Sequence, residues 1–177
     1  MKLSGAGIGR KIELTANVAI IFAVVLIAIK ILKPELLAPK EKVAPQEPSI
    51  SAGAKLALPA ADWSSHEQTV VMVLREGCRF CTASAPFYQK LVHAAAKSPG
   101  VHLMAVLPQE IPQGKKYLDT LGVAVVDVQH AELASLKIAG TPTLLLVDRG
   151  GVVKNVWVGQ LNDQSEADVM SKAGLAN

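Results

Sequence analysis

Two cysteines, Cys78 and Cys81, are the only thiols in a chain of 177 residues, and they stand three residues apart in the run Cys-Arg-Phe-Cys. In the first turn of a helix, side chains at that spacing lie on one face about 5–6 Å apart, the separation a disulfide requires, so the pair can close and reopen in place. The position also acts on charge. A helix N-terminus offers free N–H groups and the positive end of its dipole, and Arg79 sets a cation beside the first sulfur. Both favour thiolate over thiol, and Cys78 is expected to ionise below the free-cysteine pKa of about 8.5. Cys81, one turn further in, is expected to be less exposed and to serve as the thiol that resolves a mixed disulfide.

Other uses of the pair fit less well. Inert structural thiols have little reason to sit where a strand gives way to a helix. A structural zinc site needs four ligands, but there is no second cysteine pair, and His66, His93, His102 and His130 lack the spacing of a zinc-binding histidine pair. Covalent haem attachment needs a histidine after the second cysteine, and Thr82 stands there. No arrangement of Pro, Thr or Ser ahead of Cys78 supports a peroxidase. The alternative that survives is a binding module in which the two thiolates hold Cu(I), since soft sulfur ligands select that ion.

The elements that must position the cysteines follow from the hydrophobic pattern. Val-Val-Met-Val-Leu at 70–74 is a continuous β-branched run, the mark of a strand buried on both faces. Residues 78–97 read as one helix, with apolar positions at Ala83, Phe87, Leu91 and Ala94/Ala95 and a stop at Ser98-Pro99-Gly100. A second buried strand is expected at 101–107, a short helix at 114–121, a third strand at 123–128 and another short helix at 131–136. Strands at 143–148 and 152–158 are close enough across Arg149-Gly150-Gly151 to form an antiparallel hairpin. A last helix starts at Asn162 or Asp163 and runs to about Lys172. The pattern predicts an α/β sheet, mostly parallel with an antiparallel edge. Trp63 and Trp157 read as core or rim packing, His93 as a surface or half-buried imidazole, and Lys115-Lys116 as a solvated helix face.

The stretch Cys-Arg-Phe-Cys-Thr-Ala-Ser-Ala-Pro resembles the active-site helix of the thioredoxin superfamily, in which a proline, here Pro86, follows the second cysteine by five residues. Gly-Thr-Pro-Thr-Leu-Leu-Leu-Val-Asp at 140–148 resembles that superfamily's second signature, a cis proline opening a strand, and Gly159 falls where the family has a glycine after the next strand. An inserted helix–strand unit near 108–128 makes the pattern more similar to membrane-tethered thioredoxin-like proteins of the bacterial envelope than to small cytosolic thioredoxins. The resemblance covers about 69–161. It implies a thioredoxin-like fold, thiol–disulfide exchange with protein cysteines, a redox partner that supplies or removes electrons, and no cofactor. It also implies a cis Pro142, leaving the backbone of Thr141 to pair with an extended substrate segment beside Cys78. The chain departs from the family in three places. Gly77 stands where a tryptophan is usual, and Met72 where a buried acid often lies, with Glu76 the only acid close in sequence. Arg79-Phe80, the dipeptide expected to tune the redox pair, matches neither the Gly-Pro of reducing members nor the Pro-His of strongly oxidising ones.

The N-terminal part is of another kind. Sixteen residues from Leu14 to Ile29 carry no charge. As a helix the stretch 14–32 spans roughly 28 Å, close to the ~30 Å hydrocarbon core of a bilayer, with Lys30 reaching for the headgroups. Its flanks are poor for signal cleavage, and an uncleaved anchor over 1–33 is expected. Residues 34–61 hold five of the ten prolines and read as a spacer, with the folded domain at 62–177. Residues 1–42 carry seven Lys/Arg and three Asp/Glu, net +4, while residues 43–177 carry eleven and twelve, net −1. The near-neutral domain excludes nucleic-acid binding. Basic residues flank the apolar stretch on both sides, so charge does not orient it. Dithiol exchange belongs where disulfides persist, and this places the domain on the periplasmic side of a bacterial inner membrane, tethered by a single pass.

Overall fold

The computed structural model describes residues 20–24, 27 and 49–176. The expected membrane helix over 14–32 lies largely outside them. Residues 20–24 and 27 are helical, with Ile20, Ile21, Phe22, Val24 and Ile27 exposed. Among the described residues no helix is long and apolar enough to cross a membrane.

The described residues 49–176 belong to a separate unit built on one five-stranded sheet, in the order β3-β2-β1-β4-β5. The strands are β1 (Gln68–Val73), β2 (Val101–Leu107), β3 (Asp127–His130), β4 (Thr143–Asp148) and β5 (Val153–Val158). The helices are α1 (Arg79–Ala83), α2 (Ala85–Ala95), α3 (Ile111–Thr120) and α4 (Asp163–Lys172). β1 pairs parallel with β2, and β2 with β3, through helical crossovers, whereas β4 is antiparallel to both β1 and β5. The antiparallel half is therefore larger than the expected edge: β4 adjoins the central strand β1, with Val73 opposite Thr143 and Thr143 opposite Val158.

Alternation along the strands divides the core into two. Val70, Met72 and Leu74 face one way with Ala105, Leu107, Leu144 and Leu146, against Phe87 and Leu91 of α2, Leu118 of α3 and Val169 of α4. Val71, Val73, Met104, Val106, Leu145 and Val147 face the other way. Among the described residues no helix covers that second face. It is closed by Leu136 and Ile138 and by Ile50, Leu56 and Leu58 from the segment expected to be a spacer. That segment is tied down by the backbone as well: the Ile50 N–H donates to the Lys137 carbonyl at 2.8 Å, the Leu56 N–H to Gly151 at 2.9 Å, and Lys55 bridges Val152. The packed domain thus begins upstream of Asp62, because a sheet with apolar side chains on both faces needs both faces covered.

Three expected elements differ. The helix over 78–97 is two helices, broken at Ser84, where Pro86 removes a backbone donor in the second position of α2. The strand expected at 123–128 is confined to Asp127–His130, with Val126 91% exposed. The helix expected at 131–136 is absent there, the chain making turns over 133–137. The β4–β5 hairpin forms as expected, its Asp148 carboxylate accepting from the Gly150 and Val152 N–H groups at 2.9 and 3.0 Å. Gly151 sits there at φ 76°, and a Cβ on it would meet the Trp63 ring at 2.9 Å. α4 starts as expected, with the Asn162 side chain accepting from the Ser165 N–H at 2.9 Å.

Leu56 is 3% exposed although it lies in a proline-rich stretch. Leu56→Ala should cost about 2–3 kcal/mol, read as a lower urea midpoint at unchanged slope. A loss below half a kcal/mol would show that the segment is not part of the core.

Candidate active site

β1 ends at Val73, and the turn Arg75-Glu76-Gly77 carries the chain to Cys78, which caps α1. Gly77 is at φ 77°, a left-handed conformation that a tryptophan there would adopt only under strain. Cys78 lies just outside the helix (φ −80°, ψ 109°), and its sulfur does what an N-cap oxygen does elsewhere: Sγ accepts from the Cys81 backbone N–H at 3.2 Å. From the other side the Cys78 thiol donates to the Thr141 carbonyl at 3.3 Å. Thr141–Pro142 is cis, as the resemblance implies, and the Gly159 N–H donates to the Pro142 carbonyl at 2.7 Å. Residues 63 positions apart in sequence therefore meet at one sulfur. The register brings them there, since β1 and β4 pair through Val73 and Thr143.

The cysteines are unbridged and differ in exposure, Cys78 at 8% and Cys81 at 0%. Burial works against ionisation of Cys78. Hydrogen bonds from the Cys81 side chain, the Thr141 hydroxyl and the backbone at Cys81 and Phe80 outweigh it and hold the thiol below its ordinary value. Cys81 goes the other way. Burial, reinforced by its bond to Cys78, pushes it up to about 12. The two thiols are shifted in opposite directions, Cys78 down and Cys81 up.

The remaining site residues divide. Thr141 and Pro142 are brought to Cys78. Phe80 is 42% exposed beside it. Arg79 does not act as expected: its guanidinium lies over the Phe80 ring, 4.4 Å from the centroid, and hydrogen bonds carry the lowering of Cys78. Met72 is fully buried, so no carboxylate replaces the absent acid from that position, and Glu76 is an exposed acceptor for Gln113. Among the described residues no three His, Cys, Asp or Glu converge as a metal site, so the copper reading rests on two thiols, one of them sealed in the core. Three buried hydroxyls that the sequence reading did not single out lie in the core with Cys81. Ser84 and Tyr88 follow it at the i+3 and i+7 positions of a helical stripe, a signal present in the sequence, whereas Tyr117 arrives from α3 through the fold alone.

No family model matches the sequence, and no curated relative does either. Solved structures do match. The thioredoxin domain of a thiol-disulfide oxidoreductase from Bacteroides vulgatus aligns with a TM-score of 0.53 at 20% identity, over 70% of this chain and 98% of that one. A thiol:disulfide interchange protein from Bacteroides sp. aligns at 0.53 and 19% identity, over 73% and 92%. A thiol-disulfide isomerase from Corynebacterium glutamicum aligns at 0.51 and 19% identity, over 74% and 97%. At these identities the likeness establishes the thioredoxin-like fold.

The opposed shifts fix an order of reactivity. Alkylation should modify Cys78 alone at neutral pH, its rate rising as pH passes through the lowered pKa and levelling below the ordinary thiol range of ~8.5. Thr141→Val removes a donor to the thiolate, so the rise should move to higher pH and the neutral rate fall several-fold. An unchanged profile, followed by mass spectrometry, would show that the hydroxyl points elsewhere.

Proposed function

We propose that this chain is a thiol–disulfide oxidoreductase that exchanges its Cys78–Cys81 dithiol with protein cysteines through a mixed disulfide. The observation that carries the reading is the asymmetric pair: a capping sulfur with a lowered pKa at the surface end of α1, and a fully buried partner one turn inside. Solved structures of the same fold that belong to proteins named as thiol–disulfide oxidoreductases, interchange proteins and isomerases support it. In the reducing direction the Cys78 thiolate attacks a client disulfide. One client sulfur leaves and takes a proton, and the other is held on Cys78. The Cys81 sulfur then attacks Cys78, closing the protein disulfide, while the second client sulfur leaves with the electron pair of the broken bond and takes up a proton. The reverse sequence oxidises a client dithiol. Ionisation of Cys78 frees the Thr141 carbonyl from its thiol bond, so the backbone beside Pro142 can accept from an extended client segment. Phe80 offers an apolar contact at the rim.

The apolar stretch 14–32 supports an N-terminal anchor in a bacterial inner membrane with the domain on the periplasmic side. A reporter active only in the periplasm, fused after Asn177, should then be active. Activity of a cytoplasm-only reporter in its place would overturn the placement without touching the chemistry.

The roles of the two cysteines separate in a trapping experiment. Cys81→Ser retains the attacking thiolate and lacks the resolving one, so covalent complexes with client proteins should accumulate on non-reducing gels. Cys78→Ser should trap few or none. Equal trapping by both variants would overturn the assignment.

A further inference from the structure

Arg79 follows Cys78 directly in the chain and takes no part in lowering its pKa, which hydrogen bonds from other groups achieve. Its side chain is nonetheless held. The guanidinium lies over the Phe80 ring, 4.4 Å from the centroid, and both residues are exposed. Stacking uses the face of the guanidinium plane and leaves the N–H donors along its edge free to bond. No acid of the domain claims them. Among the described residues the ion pairs are His102–Asp127 and Lys172–Asp168, and the acid closest in sequence, Glu76, is engaged as the acceptor for Gln113. A lone arginine waving from a surface is ordinary; one laid on an exposed ring beside the attacking sulfur is a pre-set fork at the place where a client must dock. Arg75 shares the turn but lacks such a support, since the cation–π pairs among the described residues are Arg79–Phe80 and Lys172–Trp157.

We propose that Arg79, laid on Phe80, selects client segments that carry an acidic side chain next to the reacting cysteine. The proposal rests on the exchange reading and narrows its substrate class. Electrostatics creates the need. The attacking Cys78 sulfur is an anion, so an acidic client meets like charge as it approaches. A guanidinium on the adjoining residue offsets that repulsion. It also offers two parallel N–H donors to the client carboxylate, a planar match that a lysine ammonium lacks. Phe80 lowers the cost of the contact, because a guanidinium already laid on a ring has less rotamer freedom to give up when the carboxylate binds. Arg79 is then the residue that touches the client, and Phe80 a positioning residue that acts through it. Arg75 adds positive charge to the same turn without the fork, and so adds attraction without geometry.

The test uses the full-length reduced chain and an excess of disulfide-linked peptide dimers that differ only in the residues flanking cysteine, Glu in one and Gln in the other. Acid quenching and mass spectrometry follow the bimolecular attack by Cys78. The Glu-to-Gln rate ratio is taken within each variant, so any change in the reactivity of the sulfur itself cancels. Arg79→Gln should lower that ratio about fivefold relative to wild type. Phe80→Leu keeps the charge and removes the support, and Arg79→Lys keeps the charge and removes the fork; each should lower the ratio about twofold. A ratio unchanged in Arg79→Gln would overturn the selection. Full retention in either Phe80→Leu or Arg79→Lys would leave attraction by charge alone and overturn the stacked fork. A wild-type chain that forms no mixed disulfide with either peptide would overturn the exchange reading itself and the selection with it.

Discussion

The bond from the Cys81 N–H to the Cys78 sulfur, 3.2 Å long, is the contact on which the site turns. It caps α1 and sets the distance between the two sulfurs. It also places a backbone donor where a negative sulfur would sit. The expectation from sequence assigned the lowered Cys78 pKa to a helix dipole and a neighbouring cation. α1 is only five residues long and Arg79 is engaged over Phe80, so the local bonds do most of that work. A contact of this kind holds only if the capping residue cannot drift. β1 ensures that: from Val70 through Leu74 every side chain is at 0% exposure, so the strand that delivers Cys78 is gripped from both faces.

The second partner of the sulfur, the Thr141 carbonyl, arrives from a strand that is a neighbour of β1 in space and remote in sequence. The β1–β4 register is enforced by the alternation itself. A slip of one residue would turn Leu145 and Val147 toward the helices and Leu144 and Leu146 toward the opposite core, so the pairing that sets Val73 against Thr143 has no cheap alternative. The covering of the second face by Ile50, Leu56 and Leu58 belongs to the same constraint. Without it, Val71, Val73 and Leu145 would lose their apolar neighbours, and with them the rigidity that aims Thr141 at Cys78.

What could be read from the sequence follows from how many forces spoke at once. β2 and β4 had continuous apolar runs and clear stops, and the structure has them at 101–107 and 143–148. The start of α4 rested on an Asn cap that forms. Residues 123–126 are apolar yet lie outside the sheet, because β3 is an edge strand whose polar Asp127, Gln129 and His130 do the pairing. Proline content concealed the buried Ile50, Leu56 and Leu58, whose spacing by twos at the end is a strand-like signal. In the site, the cysteines were legible because chemistry restricts that residue type, and Thr141 and Pro142 only through the resemblance of 140–148 to a known signature. The buried hydroxyls of Ser84, Tyr88 and Tyr117 were not, since Ser and Tyr are common on helices and only the fold shows that theirs face inward.

The opposed shifts also bear on the energetics of the couple. Bonds that stabilise the Cys78 thiolate exist only when the disulfide is open, so they stabilise the reduced form and make the disulfide a better oxidant than an unstructured dithiol. Burial of Cys81 does not cancel this. It penalises the anion and leaves the neutral thiol untouched, and Cys81 need not ionise for the reduced state to persist. The penalty appears in the rate of closure instead, where a thiol pushed up to about 12 has to ionise inside an apolar core. One architecture thus sets the equilibrium through the capping sulfur and the barrier through the one sealed in the core, and the two can be tuned apart because different residues surround each.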